Sequence, residues 1–405
     1  MNRRGRPLGG DRPGDLLFLA PGDVRKARVE PISWMRTCQA FAARRLRVTL
    51  VTLRVQYPDA VTREAIWAHF SVPPSFRIRM LPTPLRRDSS TRAFRLWGAL
   101  ASAALAIAVM SRLALRRHRL IVYARSPLML TPVSLLRRLL PRGRRPTLIY
   151  ETHALPPEST WRILRRADLL VVNSRKLETD LATRAGIRPE SILHAPLPPY
   201  ASVRRRPKAE ARAELGLPSA APIACYSGKM IEGQCEFLLE VARLTRARVD
   251  GFLMMLVGGN PDILARLRER VAEDGLEDTM VLAGFVEPAR VGVYQSAADV
   301  LVFHMDSNLP HFPYCTPAKG FDYQATGRPI VAQDIPLFEE VFGADGERAL
   351  RVTAATPDAF ATAIQQALSL EGGGRAMTQR AMSWVAERSW QARADAVLDC
   401  LPGSA

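Results

Sequence analysis

Thirteen short apolar runs, separated by segments with helical spacing, set the fold of this chain. Seven lie in the first half: DLLFLA, RVTLVTL, FRIRML, LIVYAR, TLIYET, DLLVVN and SILHAP. Six lie in the second: PIACYSG, GFLMMLVGG, TMVLAGF, DVLVFH, RPIVAQ and ALRVTA. Runs that are apolar throughout belong to strands buried on both faces, and strands joined by helices pair in parallel. One intervening segment, Ser33 to Arg45, sets Trp34, Cys38 and Phe41 on one helical face. The pattern breaks once, over Ala195–Pro222, into proline, alanine and charge, which reads as an interdomain linker. The expected fold is α/β, two tandem Rossmann-like domains facing a central cleft, and 405 residues exceed one typical core. The expected boundaries are 1–200, 201–385 and a C-terminal helix, 386–405, packing back on the first domain. Ligands of such sheets bind outside the carboxyl ends of the strands, here expected in the cleft.

Composition narrows the chemistry. The five cysteines are scattered without a C-x-x-C pair, which points to a reducing compartment and away from disulfides or zinc. The six histidines form no ligand cluster; no metal is expected, and no cofactor beyond a donor substrate. The net charge of +18 is uneven: Met1–Pro207 holds 39 Lys/Arg against 13 Asp/Glu, and the remainder 18 against 26. A basic half of this kind suits a polyanionic partner. Nucleic acid is disfavoured, because the arginines lack interleaved aromatics and no binding motif is present. The start, MNRRGRPLGGDRPGD, runs into polar Gly/Pro sequence instead of an apolar core, so no signal peptide is read and a cytoplasmic location is expected. Leu96–Met110 is the most apolar window, but its 15 residues fall short of the roughly 18–20 needed to span a bilayer. It reads as a buried domain helix or, flanked by arginines, as an interfacial one at the inner face of an anionic membrane.

Four segments carry candidate chemistry. TPAKGFDYQATGRPIVAQDIP begins with Thr316 as an expected N-cap and Pro317 at the first helical position, followed by Ala318, Lys319 and Asp322. A helix start of this kind favours an anion such as a diphosphate; Lys319 adds charge, and Asp322 could accept from sugar or ribose hydroxyls. YSGKMIEGQ places Gly228, where a backbone can approach a ligand closely, beside Lys229. YETHALP puts Glu151 and His153 at the carboxyl end of a strand, where a neutral imidazole or its backbone carbonyl could contact a sugar. A solitary histidine is as readily structural. LAPGDVRKAR sets Gly22 in the loop after the first strand. VGGNP reads as a plain turn. D-x-D, the diphosphate–metal motif of single-Rossmann glycosyltransferases, is absent from the sequence.

These residues resemble the donor domain of retaining family 4 glycosyltransferases of the GT-B fold. Thr316, Pro317, Lys319, Asp322 and Tyr323 stand in the places of the family's S-P-x-K-x-x-E-Y variant. The first half matches more weakly, through LAPGD, YETH and VVNS. The resemblance implies metal-independent transfer of a sugar, with retention, from a nucleotide-diphosphate donor to a carbohydrate or lipid-linked acceptor. It implies that Lys229 and Lys319 hold the diphosphate, that Asp322 binds ribose, and that His153 lies near the transferred sugar. The backbone at Pro317 and Ala318 would cap the phosphates. Three positions depart from the pattern. Asp322 replaces a glutamate, Tyr314 stands where many relatives carry another, and Gln234–Cys235 replaces a basic residue. The departures fit altered sugar recognition; a degenerate nucleotide- or carbohydrate-binding protein, or a sugar-nucleotide epimerase, is the alternative.

Overall fold

The computed structural model of the protein describes residues 14–25, 29–56, 61–86, 92–93, 96–98, 100–101, 103–104, 120–200, 206–306, 312–314, 316, 318–370, 372 and 374–401. The chain divides into two compact units, Met1–Leu197 with Trp390–Ala405, and Pro198–Ser389. Each of the thirteen apolar runs forms a strand.

The first unit holds β1 (Asp15–Leu19), β2 (Arg47–Gln56), β3 (Arg77–Arg86), β4 (Leu120–Ala124), β5 (Thr147–Thr152), β6 (Leu169–Val172) and β7 (Ile192–His194). They pair in parallel in the order β3-β2-β1-β4-β5-β6-β7. Leu16, Phe18, Tyr123, Ile149 and Val171 form one face of this sheet and pack on Trp34, Met35, Cys38 and Phe41 of the helix Val29–Ala42. Each such side chain, fully buried, contributes about 1.5–3 kcal/mol. The helix Trp390–Asp399 returns to this unit and adds Ala394 and Val397 to the same core.

The second unit holds β8 (Ile223–Ser227), β9 (Leu253–Val257), β10 (Met280–Gly284), β11 (Val300–Phe303), β12 (Ile330–Gln333) and β13 (Leu350–Val352). Their order is β10-β9-β8-β11-β12-β13, again parallel. Successive side chains alternate between two cores. Ala224, Tyr226, Met254, Leu256, Val300 and Val302 enter one; Ile223, Cys225, Met255, Val257, Leu301 and Phe303 enter the other.

Two expectations change. The Ala195–Pro222 segment contains a helix, Lys208–Leu215, that belongs to the second unit. Arg212 anchors it, buried, donating to the Ala297 carbonyl at 2.9 Å and pairing with Asp299 at 2.6 Å. The sequence reads as a linker because its proline and charge frame a helix too short to show a clear apolar face. Most of Leu96–Met110 lies outside the described residues, but Leu96, Trp97 and Leu100 are exposed, unlike a buried helix. Among the described residues no helix is long and apolar enough to cross a membrane.

In both sheets the chain starts centrally, builds outward on one side and then reverses. The reversal points lie between β1 and β4 and between β8 and β11. Loops leaving the carboxyl ends of those strands diverge, which opens the crevice where such sheets bind ligands. The candidate residues are therefore those following β1 and β4, with β5 beside them, and those following β8 and β11.

Candidate functional site

In the second unit the turn after β8 is built by glycines. Gly228 has φ of +150°, and its N–H donates to the Val257 carbonyl at 2.9 Å. A Cβ on Gly258, at φ of +125°, would lie 2.1 Å from the Gly228 carbonyl oxygen. VGGNP is thus more than a turn: its first glycine makes room for the backbone of the β8 loop. Lys229 follows, exposed. The helix Glu232–Arg246 starts directly afterwards, and its cap residue, Ile231, makes no side-chain cap bond to its first turn.

Lys319 meets this turn from the other side. Its Nζ lies 4.1 Å from the centre of the Tyr226 ring and 4.9 Å from that of Phe303. It donates to the His304 carbonyl at 3.3 Å and lies 3.6 Å from where a Gly228 Cβ would be. Tyr323 locks its helix to β8: the buried hydroxyl accepts the Ser227 N–H at 2.8 Å and lies 3.2 Å from the Ser227 carbonyl, to which it donates. The sequence matched Tyr323 to the family pattern without a role. The helix spans Lys319–Thr326, with Ala318 at the cap position in αR geometry and no side-chain cap bond. Thr316, the N-cap expected from sequence, is buried two residues upstream of Ala318. Pro317 lies outside the described residues. Because the helix starts at Lys319, Asp322 falls in its first turn and is buried. Tyr314 ends a short 3-10 turn, Phe312–Tyr314.

His304, which sequence reasoning passed over, leaves β11 at the reversal point. The only signal was its place at the end of a strand, as for His153. Its ring stacks on Phe237 with centres 3.8 Å apart. Nδ1 lies 3.1 Å from Gln234 Oε1, which requires the proton on Nδ1. Burial, then the Lys319 charge, pushes its pKa down to about 4 against the pull of Asp306, so the ring is neutral at pH 7. Gln234 is therefore a buried partner of His304, and its Nε2 finds no hydrogen-bond partner among the described residues. Asp306 reaches the same corner, 3.7 Å from where a Gly233 Cβ would lie.

In the first unit Glu151 is buried within a ring of donors. Arg125 and Arg393 each reach Oε1 at 2.9 Å, His153 Nε2 reaches it at 2.7 Å, and the Tyr123 hydroxyl donates to Oε2. Burial alone would raise its pKa, but Arg125, Arg393 and His153 together hold it well below the ordinary carboxylate range. Glu151 is thereby occupied inside its own unit. Arg125 also donates to His153 Nδ1 at 3.2 Å, leaving Nε2–H to donate to Glu151. Burial first, then Arg125, pushes His153 down to about 4. Both ring nitrogens of the neutral imidazole are engaged within the first unit. Gly22 follows β1; its carbonyl accepts from Leu53 N–H at 2.9 Å and from the Thr52 hydroxyl, and its Cα faces the Trp34 ring. Among the described residues no three His, Cys, Asp or Glu side chains group as metal ligands.

The second unit's sequence matches the family model "Glycosyl transferases group 1" over residues 221–369, a span from β8 to past β13 that contains Gly228, Lys229, His304, Lys319 and Asp322. Residues 221–369 are thus similar to glycosyltransferase group 1 domains. D-inositol 3-phosphate glycosyltransferase of Corynebacterium urealyticum is 27% identical over 243 residues, 56% of this chain and 55% of that protein. The Nocardia farcinica enzyme of the same name is 27% identical over 250 residues, 58% of this chain and 53% of that protein. The chain thus matches about half the length of these relatives. Sucrose-phosphate synthase of Thermosynechococcus elongatus superposes with a TM-score of 0.70 at 19% identity, covering 95% of this chain and 98% of that one. HepE of Anabaena, solved with UDP, gives 0.66 at 14% identity, covering 96% and 100%. The fold, two parallel-sheet α/β domains, is that of GT-B glycosyltransferases.

Proposed function

We propose that the protein is a retaining, metal-independent glycosyltransferase that moves a sugar from a nucleoside-diphosphate donor to a carbohydrate or lipid-linked acceptor. The observation that carries this reading is the convergence of Lys319 Nζ on the glycine-built Gly228 turn, with Lys229 beside it and the uncapped helix Glu232–Arg246 opening next to it. Two ammonium groups and helix N–H groups are what a leaving diphosphate requires, since they stabilise charge as it develops. Lys319 is held in place by two aromatic faces and a carbonyl, so little reorganisation accompanies binding.

In this reading Lys229 and Lys319 clamp the diphosphate, with the backbone at Ala318 and Pro317 beside them and Thr316 and Tyr314 on the approach. Asp322 accepts from the ribose hydroxyls. The His153 carbonyl contacts the sugar, Glu151 acts through His153 by fixing its ring, and Gly22 lines the acceptor side. HepE structures hold UDP and UDP-glucose, which makes UDP the probe of choice. In titration calorimetry Lys229→Ala and Lys319→Ala should each weaken UDP binding by about 1.5–3 kcal/mol, the range for hydrogen bonds to charged groups. Unchanged affinity in both variants would remove the proposed site.

A further inference from the structure

The helix Pro127–Leu136 and the 3-10 turn Arg137–Leu139 that continues it carry two apolar faces. The inner face, Met129, Leu130 and Val133, is buried. The outer face is not: Leu128 is 42% exposed, Leu135 49% and Leu139 79%. With Pro132 between them, residues 128, 132, 135 and 139 follow a spacing of four, three and four, a single stripe along a helical surface. Among the described residues seven large hydrophobic side chains are exposed, and six of them, these three with Leu96, Trp97 and Leu100, belong to the first unit.

The charge around the stripe has one sign. From Ser126 to Pro146 the chain has five arginines and no Asp or Glu. Arg137 turns aside to pair with Asp168 at 2.7 Å, while Arg138, Arg142, Arg144 and Arg145 are exposed at the end of the stripe. We propose that this face docks on an anionic phospholipid bilayer, with the leucines in the boundary between headgroups and acyl chains and the arginines on the lipid phosphates.

The alternative occupant is another protein. A stable protein interface buries about 800 Å² on each partner and is depleted of charge at its core. Three part-exposed leucines fall well short of that area, and the arginines beside them are what a protein interface core excludes. An apolar stripe bordered by exposed arginines is the composition of an interfacial membrane helix. These residues are distinct in sequence from the Leu96–Met110 window, and the proposal does not depend on the transferase reading.

The test is sedimentation of the full chain with vesicles of phosphatidylcholine alone or mixed with phosphatidylglycerol. The protein should pellet with the mixed vesicles at low salt and be released at high salt. Leu128→Gln/Leu135→Gln/Leu139→Gln should reduce binding at least about tenfold, and Arg138→Gln/Arg142→Gln about fivefold per arginine. All five side chains are exposed, so both variants should melt as the wild type does, and either one alone tests the surface. Four results would overturn the proposal: no pelleting, equal pelleting with neutral vesicles, a triple variant that binds like wild type, or a concentration-dependent dimer that the triple variant abolishes.

Discussion

At the scale of single residues, Asp322 links sequence pattern and structure, and the structure changes how it must be tested. With the helix starting at Lys319, it lies in the first turn, where a carboxylate stabilises the helix whether or not a ligand is bound. A loss of function in Asp322→Asn would therefore not by itself identify a ribose contact. Comparing UDP with its 2′,3′-dideoxy analogue separates the two roles. Wild type should prefer UDP by about 1.5–3 kcal/mol, and Asp322→Asn should bind both nucleotides equally. If the variant keeps the full preference, Asp322 serves the helix and not the ligand. Asp322→Glu, which restores the residue of the resembled family, should retain the preference.

At the scale of elements, the strands were legible and the contacts between loops were not. Parallel strands buried on both faces leave continuous apolar runs, and all thirteen could be read from the sequence. The same holds for the β8 and β11 ends, since a loop following such a run is where ligands bind. What stayed hidden was pairing between distant loops. VGGNP read as a turn because nothing local reveals that Gly228 lies against Gly258. Tyr323 carries no sign in sequence of its bond to Ser227, 96 residues away. The Gly258 contact can be tested directly. Gly258→Ala should cost about 1–3 kcal/mol in denaturant unfolding and weaken UDP binding, since the new Cβ displaces the Gly228 turn. Gly275→Ala is the control: φ is +60° but nothing lies within 4 Å, so it should strain the backbone and leave UDP affinity unchanged. Equal UDP affinity in both variants would mean the glycine pair does not shape the site.

At the scale of the molecule, two neutral histidines with depressed pKa values, one in each unit, make acid a shared weakness. His153 and His304 bind protons near pH 4 when folded and near 6.5 when unfolded. Because the folded values are the lower ones, the stability they contribute is complete above pH 6.5 and drains away as pH falls towards 4. Each adds up to about 1.4 kcal/mol per pH unit over that window. Glu151, also depressed, adds a loss in the same direction at lower pH. The melting temperature should therefore fall between pH 7 and pH 5, and His153→Gln/His304→Gln should flatten the slope; an unchanged slope would count against this account. Glu151 has a further consequence, one of timing. Its second arginine, Arg393, lies 242 residues further along the chain, on a helix that also supplies Ala394 and Val397 to the first unit's core. During synthesis the ribosome makes the entire second unit before it reaches the helix that completes the first, so the unit begun first is the last to be finished.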